Sequence, residues 1–283
     1  VNKTLDSMLA GGIHDHVGGG FHRYSTDERW HLPHFEKMLY DNALLLKAFA
    51  VSASLTHDQA HKRVCDRIIT WLKREMTSTD GLLYSAIDAD SDGEEGLYYT
   101  WTQNEIENAL GRRSDAFTDA FGIRKDGNYF DEATGKLTGR NVLIAQTKDL
   151  DEFDEDLEVL RAVRSSRIRP EIDNKALVAW NGLAVGALAK AGEIAMASRI
   201  ADALMEYGDS LPHQIVSGKP EGRPFLDTAY LVEGLLDLHE ASGESKYLDN
   251  ASRLFGSFRG RFRSKSRGWF FTSTDHEKLF GLN

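Results

Sequence analysis

The densest group of chemically reactive side chains lies in residues 11–46. This stretch, GGIHDHVGGGFHRYSTDERWHLPHFEKMLYDNALLL, combines histidines, carboxylates and aromatic residues around a glycine-rich loop. Histidine and carboxylate side chains are the usual groups of general acid–base catalysis, and functional residues concentrate on loops held by rigid elements. For any single histidine, hydrogen bonding within the loop is an equally good interpretation.

Two carboxylates are the strongest candidates for proton transfer. Asp41 and Asp227 each open an apolar pattern with helical spacing, and Asn181 opens a third. Carboxylates that face one cavity can act as acid and base when their environments separate their pKa values. We therefore expect Asp41 and Asp227 to be catalytic groups that line a common cavity. His22 or His34 would assist them, and compensation of the helix dipole is the competing interpretation of the carboxylates.

Aromatic and polar residues near these positions are the candidates for substrate binding. Flat aromatic rings suit sugar rings, and binding pockets combine a few rigid aromatic side chains with polar groups. Core packing is the competing interpretation for each aromatic residue. The predicted substrate-binding residues are Trp30, Tyr40, Asp88, Asp90, Trp180 and Asn181.

The sequence gives no metal or cofactor signature. The segment DADSDGEEG at residues 88–96 begins like a calcium loop, but Tyr99 stands where a bidentate glutamate is needed, which excludes an EF-hand. A carboxylate cluster in a substrate-facing turn remains the interpretation. Zinc needs three or four converging ligands, and His14 and His16 alternate without a second ligand pair. We therefore predict no metal and no cofactor.

Composition limits the partners and the compartment. The chain has 283 residues and a net charge of −10, and it contains no block rich in lysine and arginine, so nucleic acid is not an expected partner. No run of 18 apolar residues occurs, so no membrane span is expected. The single cysteine, Cys65, and the absence of a signal-peptide pattern predict a reducing, cytoplasmic location. The oligomeric state is not predicted.

A repeat of about 62 residues organises the chain. Stretches that begin at Gly20, Gly81 and Gly268 each pass through aromatic or apolar residues and Ser/Thr to an aspartate seven positions later. Such a period indicates stacked helical hairpins, which form either an open solenoid or a closed (α/α) toroid. The helical patterns lie near residues 2–10, 34–53, 58–76, 102–110, 113–121, 150–165, 175–192, 195–207, 225–242 and 246–260. Strand-like pieces lie at 82–86, 97–100 and 269–272.

Four blocks of the sequence resemble one family. They are the histidine-rich stretch, SAIDADSDGEEGLYYTWT, RPEIDNKALVAWNGLAVGALAKAG and FLDTAYLVEGLLDLHEASGESKYL. These blocks are similar to the spermatogenesis-associated-protein-type family, in which a thioredoxin-like domain precedes a six-hairpin, glycosidase-like barrel. The resemblance implies an all-α fold, an (α/α) barrel of helical hairpins with short strands in the loops.

The chain departs from the family pattern in three ways. It contains no Cys-x-x-Cys, so the thioredoxin-like domain is expected to be absent, and residues 1–283 are expected to form a single barrel domain of a longer protein. The family's last barrel segment is also missing. Six hairpins of about 62 residues each would need more than these 283 residues, so we expect roughly four to five hairpins, as an incomplete ring or as a barrel with segments missing. Thr228 stands where the family has a tyrosine after the aspartate.

The combined prediction is a carbohydrate-active domain, either a sugar epimerase or a glycoside hydrolase, that binds a sugar-like small molecule. Related sugar epimerases use histidines as acid–base groups, which the resemblance extends to His22 or His34. A hydrolase would need its carboxylates about 5–5.5 Å apart for retention or roughly 6.5–9.5 Å for inversion. The alternative is a non-catalytic barrel that binds a ligand or a protein in a thioredoxin-domain-containing protein.

Overall fold

Helices and short strands build the protein. The structure, a computed structural model, describes residues 1–130, 135–147, 150–209, 211–222, 227–264 and 268–269. The α-helices are α1 (Asn2–Ala10), α2 (Leu39–Thr56), α3 (Gln59–Trp71), α4 (Gln103–Leu110), α5 (Ser114–Phe121), α6 (Asp154–Arg164), α7 (Val178–Lys190), α8 (Ile194–Met205), α9 (Asp227–Ser242) and α10 (Ser245–Phe262). Among the described residues, no helix combines the length and apolar character that crossing a bilayer requires.

Short strands join the helices, and their described pairings are antiparallel. They are β1 (Tyr24–Ser25), β2 (Pro33–His34), β3 (Lys37–Met38), β4 (Ala86–Ile87), β5 (Asp90–Ser91), β6 (Glu94–Glu95), β7 (Ile172–Asp173), β8 (Lys175–Leu177), β9 (Gln214–Val216), β10 (Lys219–Glu221), β11 (Arg263–Ser264) and β12 (Gly268–Trp269). Two sheets have three strands, in the orders β3–β4–β7 and β10–β9–β8. The pairs β1–β2, β5–β6 and β11–β12 form two-stranded sheets.

The chain divides into two compact units. The first comprises Val1–Asn42, Ser52–Leu72 and Ala86–Asp173, and the second comprises Ala43–Val51, Lys73–Ser85 and Asn174–Asn283. Helix α2 contributes residues to both units. The sequence-based expectation of a single domain over residues 1–283 stays a prediction.

The first unit has an aromatic core between α4, α5 and α6. Phe117 and Phe121 stack with ring centroids 4.3 Å apart, and Phe153 meets both rings edge-on. Helix α4 begins with a capping box, because Thr102 accepts from the Glu105 N–H while the Glu105 carboxylate accepts from the Thr102 N–H. These caps and contacts hold α4, α5 and α6 together in the first unit.

In the second unit, α7 is the most deeply buried helix. It packs against α8 and α9, and α9 packs in turn against α10. Small residues permit the close approach of α7 to α9: a Cβ placed on Gly234 would lie 2.2 Å from the Gly182 carbonyl oxygen. Helix α7 is apolar on nearly every face. This is expected of an inner helix, because it packs against protein on both sides.

The predicted helix over residues 34–53 begins five residues too early. Pro33 lies in β2 and does not start a helix, and residues 37–38 pair with Ile87 and Ala86 across β3 and β4. Phe35 and Met38 are buried in this extended segment. Their spacing satisfied a helical period, but the pairing with β4 determines the local structure.

The described residues include only part of the predicted repeat. The stretches from Gly20 and Gly81 contain the strands β1 and β4, whereas the third stretch is described at Gly268 and Trp269 alone. Its remaining residues lie outside the described ranges. The expectation that the three loops share one side of the helical layer therefore stays a prediction.

Candidate active site

The loop between β1 and β2 is built around Asp27. Its carboxylate accepts hydrogen bonds from the backbone N–H groups of Arg29 (2.6 Å), His31 (3.3 Å) and Leu32 (2.6 Å). Burial would raise the pKa of Asp27, but these N–H groups favour the charged form and the pKa is lowered. The turn they enclose holds half-buried Trp30 at φ 66°, a strained conformation for a bulky residue. Strain of this kind concentrates at functional sites.

Asp41 lies in the first turn of α2, and its carboxyl group is half-buried. Its Oδ2 atom is buried, and no residue in the described ranges donates a hydrogen bond to it. Burial raises the pKa of Asp41 to about 6, and Glu36 adds to the rise, whereas Tyr40 and Arg23 oppose it. A carboxyl group with this pKa is about half protonated at pH 6 and can release its proton there, which is the requirement for a general acid.

Polar side chains from the residues just before β1 and β3 and from the first turn of α2 surround this carboxyl. The Arg23 guanidinium donates to the Tyr40 hydroxyl oxygen (3.2 Å) and to Glu36 Oε2 (2.9 Å). The interactions of Arg23, Tyr40 and Glu36 with Asp41 place all three near its carboxyl group. Tyr40, predicted to bind substrate, therefore belongs to the same polar group as Asp41.

His34 lies in β2 beside two carboxylates. Its Nδ1–H donates to Glu95 Oε1 at 2.7 Å, and its Nε2 lies 3.6 Å from Glu36 Oε2. The ring stacks on Tyr24 with centroids 4.9 Å apart. The His34 side chain is about one quarter exposed (26%), so it can exchange protons with solvent.

His22 has a different environment from His34. It is buried, its Nδ1–H donates to the Phe35 carbonyl oxygen at 2.8 Å, and its ring meets Tyr99 edge-on. Burial and the nearby Lys37 ammonium lower the pKa of His22 to about 3. The imidazole therefore stays neutral, and its described contacts hold the loop against β3.

A buried ion cluster fixes the glycine-rich loop. The Asp15 carboxylate accepts from Lys37 Nζ at 2.6 Å and from both terminal nitrogens of Arg164 at 2.8 and 3.1 Å. Burial would raise the pKa of Asp15, but the two cations hold it well below its usual range. A Cβ on Gly18 would lie 2.0 Å from Arg164, so only glycine fits there. Sequence reasoning missed this cluster, since Asp15 and Arg164 are far apart in the chain.

Asp227 occupies the first turn of α9 in the second unit and is fully buried. Its Oδ1 accepts from the Ala179 N–H at 3.0 Å, and its Oδ2 accepts from His213 Nδ1–H at 3.0 Å. The His213 carbonyl oxygen accepts from the Val178 N–H at 3.1 Å. Asp227 and His213 together therefore cap the N-terminus of α7, where Leu177 supplies no side-chain cap.

His213 is the functional candidate that sequence reasoning missed. Its side chain is 44% exposed, and the Asp227 contact fixes a proton on Nδ1, which leaves the lone pair of a neutral ring on Nε2. A carboxylate that orients a histidine in this way makes the other ring nitrogen a general base. The residue stands in PHQIV before β9, without a recognisable motif around it.

Asn181 is buried, and its side chain forms hydrogen bonds with backbone groups. Its Oδ1 accepts from the Leu83 N–H at 2.8 Å, and its Nδ2 donates to the carbonyl oxygens of Leu83 and Leu177. Asn42 makes the same contacts with Phe21. Its Oδ1 accepts from the Phe21 N–H at 2.7 Å, and its Nδ2 donates to the Phe21 carbonyl oxygen. The structural counterpart of Asn181 is thus Asn42, one residue beyond the Asp41 position that the sequence repeat suggests.

The remaining candidates lie in a helix start and a hairpin. Trp180 lies in the first turn of α7 and is half-buried. Asp88 and Asp90 are exposed, and Asp88 Oδ1 accepts from the Asp90 N–H at 3.3 Å. Asp92 and Gly93 connect β5 to β6 with positive φ values of 53° and 80°, as a tight hairpin turn requires. The acidic motif is therefore a β-hairpin.

The structure places the predicted candidates in both units. Asp41, Tyr40 and His34 lie in the first unit, and Trp180 and Asp227 lie in the second. The expectation that Asp41 and Asp227 line one cavity stays a prediction.

Comparison with known structures defines the class of fold. The unsaturated glucuronyl hydrolase of Bacillus sp. GL1, responsible for the degradation of glycosaminoglycan, aligns with 95% of this chain and 58% of its own, at a TM-score of 0.53 and 13% identity. A UGL variant with dGlcA-Glc-Rha-Glc aligns over the same shares at a TM-score of 0.52 and 13% identity. The chain therefore has the six-hairpin glycosidase-like (α/α) barrel fold, as predicted.

Sequence comparison is more specific. Spermatogenesis-associated protein 20 of Homo sapiens is 34% identical over 95% of this chain, and the same protein of Mus musculus is also 34% identical over 95%. The chain spans about two fifths of these relatives, 41% of each. It belongs to their family through this shared segment, which confirms the resemblance. No family model matches the chain.

Proposed function

We propose that this segment is a carbohydrate-active enzyme domain that acts by general acid–base catalysis on a sugar. The observation that carries the proposal is the half-buried Asp41 carboxyl, whose pKa is raised to about 6. A carboxylic acid with a pKa close to neutrality combines sufficient acidity with a sufficient protonated fraction. Similarity of fold to glucuronyl hydrolases supports the substrate class without determining it.

Asp41 would donate a proton to a sugar oxygen. In hydrolysis this oxygen belongs to the glycosidic bond, which breaks as the proton is transferred, and the leaving sugar departs as an alcohol. Tyr40 and Arg23 lie near the Asp41 carboxyl, and their hydrogen-bonding groups are suited to hold hydroxyl groups of the sugar. His34, which is partly exposed, is the histidine that we assign to this region in preference to the buried His22.

His213 is the second proton-transfer candidate, with Asp227 as its positioning residue. The free Nε2 lone pair would take a proton either from water, as hydrolysis requires, or from a carbon next to a carbonyl group, as epimerisation requires. The histidine–carboxylate arrangement is the specific observation that keeps an epimerase as the second candidate function. The assignment of Asp41 rests on contacts within the first unit, and the assignment of His213 rests on contacts within the second.

A labelled-solvent assay tests the proposal. The chain is incubated with reducing disaccharides and with oligosaccharides that end in an unsaturated glucuronyl residue, in H₂¹⁸O and separately in D₂O. Hydrolysis would place ¹⁸O in a product, and epimerisation would place deuterium on the sugar carbon next to the carbonyl. Binding of a sugar without either label would contradict the enzymatic proposal and favour a non-catalytic ligand-binding barrel.

A further inference from the structure

Three side chains that could act as metal ligands lie in the first unit, at the start of α3. Asp6 comes from α1, Asp58 is the N-cap residue of α3, and His61 lies in its first turn. One oxygen or nitrogen atom of each side chain lies within 4.8 Å of the others. None of these residues takes part in the contacts described around Asp41 or Asp227.

The hydrogen bonds of His61 determine which ring nitrogen carries its proton. The Ser52 hydroxyl donates to Asn2 Oδ1 at 3.1 Å, so its oxygen accepts from His61 Nδ1–H at 2.9 Å. The His61 side chain is only 1% exposed, so this arrangement is shielded from water. The ring then turns its Nε2 towards the Asp6 carboxylate, whose Oδ1 is 3.0 Å away.

A divalent ion between these two atoms would take the place of the proton that a hydrogen bond between them requires. Metal-bound histidines commonly donate their second ring N–H to a protein oxygen, which orients the ring, and Ser52 provides that contact here. With bonds of about 2.0–2.2 Å, neighbouring ligand atoms around a divalent ion stand roughly 3.0–3.4 Å apart. The distance of 3.0 Å between His61 Nε2 and Asp6 Oδ1 fits one edge of such a coordination shell.

Asp58 adds a third ligand. Its Oδ1 accepts from the N–H groups of Ala60 (2.8 Å) and His61 (3.3 Å) and thereby caps α3. These bonds fix the carboxylate and use only its Oδ1 atom. An Asp58 ligand therefore needs no rearrangement of the helix.

The charge around this group favours a cation. Arg63 is the basic residue that lines the adjoining cavity, and it is paired with Asp151 through Nε and Oδ1 at 2.9 Å. The carboxylates of Asp6 and Asp58 add two negative charges, and the N-terminal dipole of α3 offsets part of this charge. The cavity has a volume of about 450 Å³, enough for water molecules to complete a coordination shell.

We propose that Asp6, Asp58 and His61 form a binding site for a divalent first-row transition-metal ion such as Zn²⁺. One imidazole with two carboxylates suits such an ion better than Mg²⁺ or Ca²⁺, which select oxygen ligands. Three protein ligands leave coordination positions open to the cavity, as in metal sites that bind water or substrate. Ser52 acts as the positioning residue for His61.

The test is Zn²⁺ titration of the chelator-treated chain by calorimetry, with Co²⁺ absorption as a second readout. The parent chain is expected to bind one ion at this site. Asp58→Asn keeps the helix cap, because asparagine caps as well as aspartate, and it should weaken binding by at least about tenfold, as should His61→Gln. Ser52→Ala should weaken binding by about 10–100-fold, the usual effect of losing a histidine-orienting contact.

The matched control is Asp66→Asn, which removes the same charge from an exposed position of α3. It should bind Zn²⁺ like the parent, and circular dichroism without metal should show that the variants are folded. His61→Gln should also remove the visible Co²⁺ bands that nitrogen ligation produces. Equal binding by the parent, Asp58→Asn and His61→Gln, displacement of Zn²⁺ by excess Mg²⁺, or no stoichiometric binding would each overturn the proposal.

Discussion

Asp41 and Asp227 each lie in the first turn of a helix, yet their surroundings differ. Asp227 is fully buried and saturated, since it caps α7 through Ala179 and holds the His213 ring. Asp41 is half-buried, and its pKa is raised to about 6 while Oδ2 lacks a donor among the described residues. Two aspartates that the sequence pattern matches therefore need not have the same chemical role. Asp227 is suited to positioning His213, and Asp41 is suited to proton transfer.

The largest expected effect is the loss of turnover in Asp41→Asn. Asparagine preserves the shape but cannot donate the proton, so kcat on a responsive sugar should fall about 10²–10⁴-fold. In the parent, the protonated fraction of Asp41 falls as pH rises through about 6, so the acid-dependent rate should fall above that pH. Steady-state kinetics across pH 4–8 provides the measurement, and an unchanged profile in the variant would remove Asp41 from the mechanism.

A smaller kinetic effect is expected at His213. His213→Gln should lower kcat by about 10²-fold, the lower end of a general-base contribution. Asp227→Asn should cost no more than this, and the double variant should resemble His213→Gln, because residues that act as one group are not additive. Additive losses in the double variant would show that Asp227 reacts independently and would break the distinction between the two carboxylates.

Asn42 and Asn181 provide a comparison in which the two regions should behave alike. Each asparagine satisfies both backbone groups of one loop residue, so Asn42→Ala and Asn181→Ala should each lower the free energy of unfolding by about 2–3 kcal/mol. Urea unfolding of both variants measures this. A loss confined to one variant would mean that the two scaffolds differ as well as the carboxylates.

The smallest effect is a change in stability at pH 7 that has opposite signs in Asp41→Asn and Asp227→Asn. The folded pKa of Asp41 lies above its ordinary value of 3.8, so the folded state binds more protons between pH 4 and 6, and its stabilisation falls as pH rises through that window. Asp41→Asn should therefore be slightly more stable than the parent at pH 7. Asp227→Asn should be less stable there, because it weakens the contact with His213. Thermal unfolding at pH 4 and pH 7 tests both signs.

The sequence predicted most of the helices and the family, because these depend on local periodicity and ordered motifs. The repeat of about 62 residues stays a prediction. The sequence made Asp41 a candidate because a carboxylate at the start of an apolar helix is visible in the chain, and the catalytic role of Asp41 stays a prediction. It placed the start of α2 too early, since the pairing of β3 with β4 involves residues about 50 positions apart. Periodicity alone could not distinguish that short strand from a first helical turn.

The partners of the candidate residues could not be predicted in the same way. His213 acquires its role from strand pairing that brings it to Asp227, and no residue next to it signals this contact. The ion cluster of Asp15 and Arg164 joins residues separated by 149 positions. Without a structure, the sequence also could not show that Asn42, and not Asp41, is the counterpart of Asn181.

The most direct test of the account is the titration of the Asp41 carboxyl itself. Carbon-13 NMR of labelled aspartate side chains, with Asp41→Asn to assign the signal, follows its protonation from pH 3 to pH 8. We expect a midpoint near pH 6 for Asp41. A midpoint near the ordinary value of 3.8 would show a carboxylate already ionised at neutral pH and would contradict its role as the general acid.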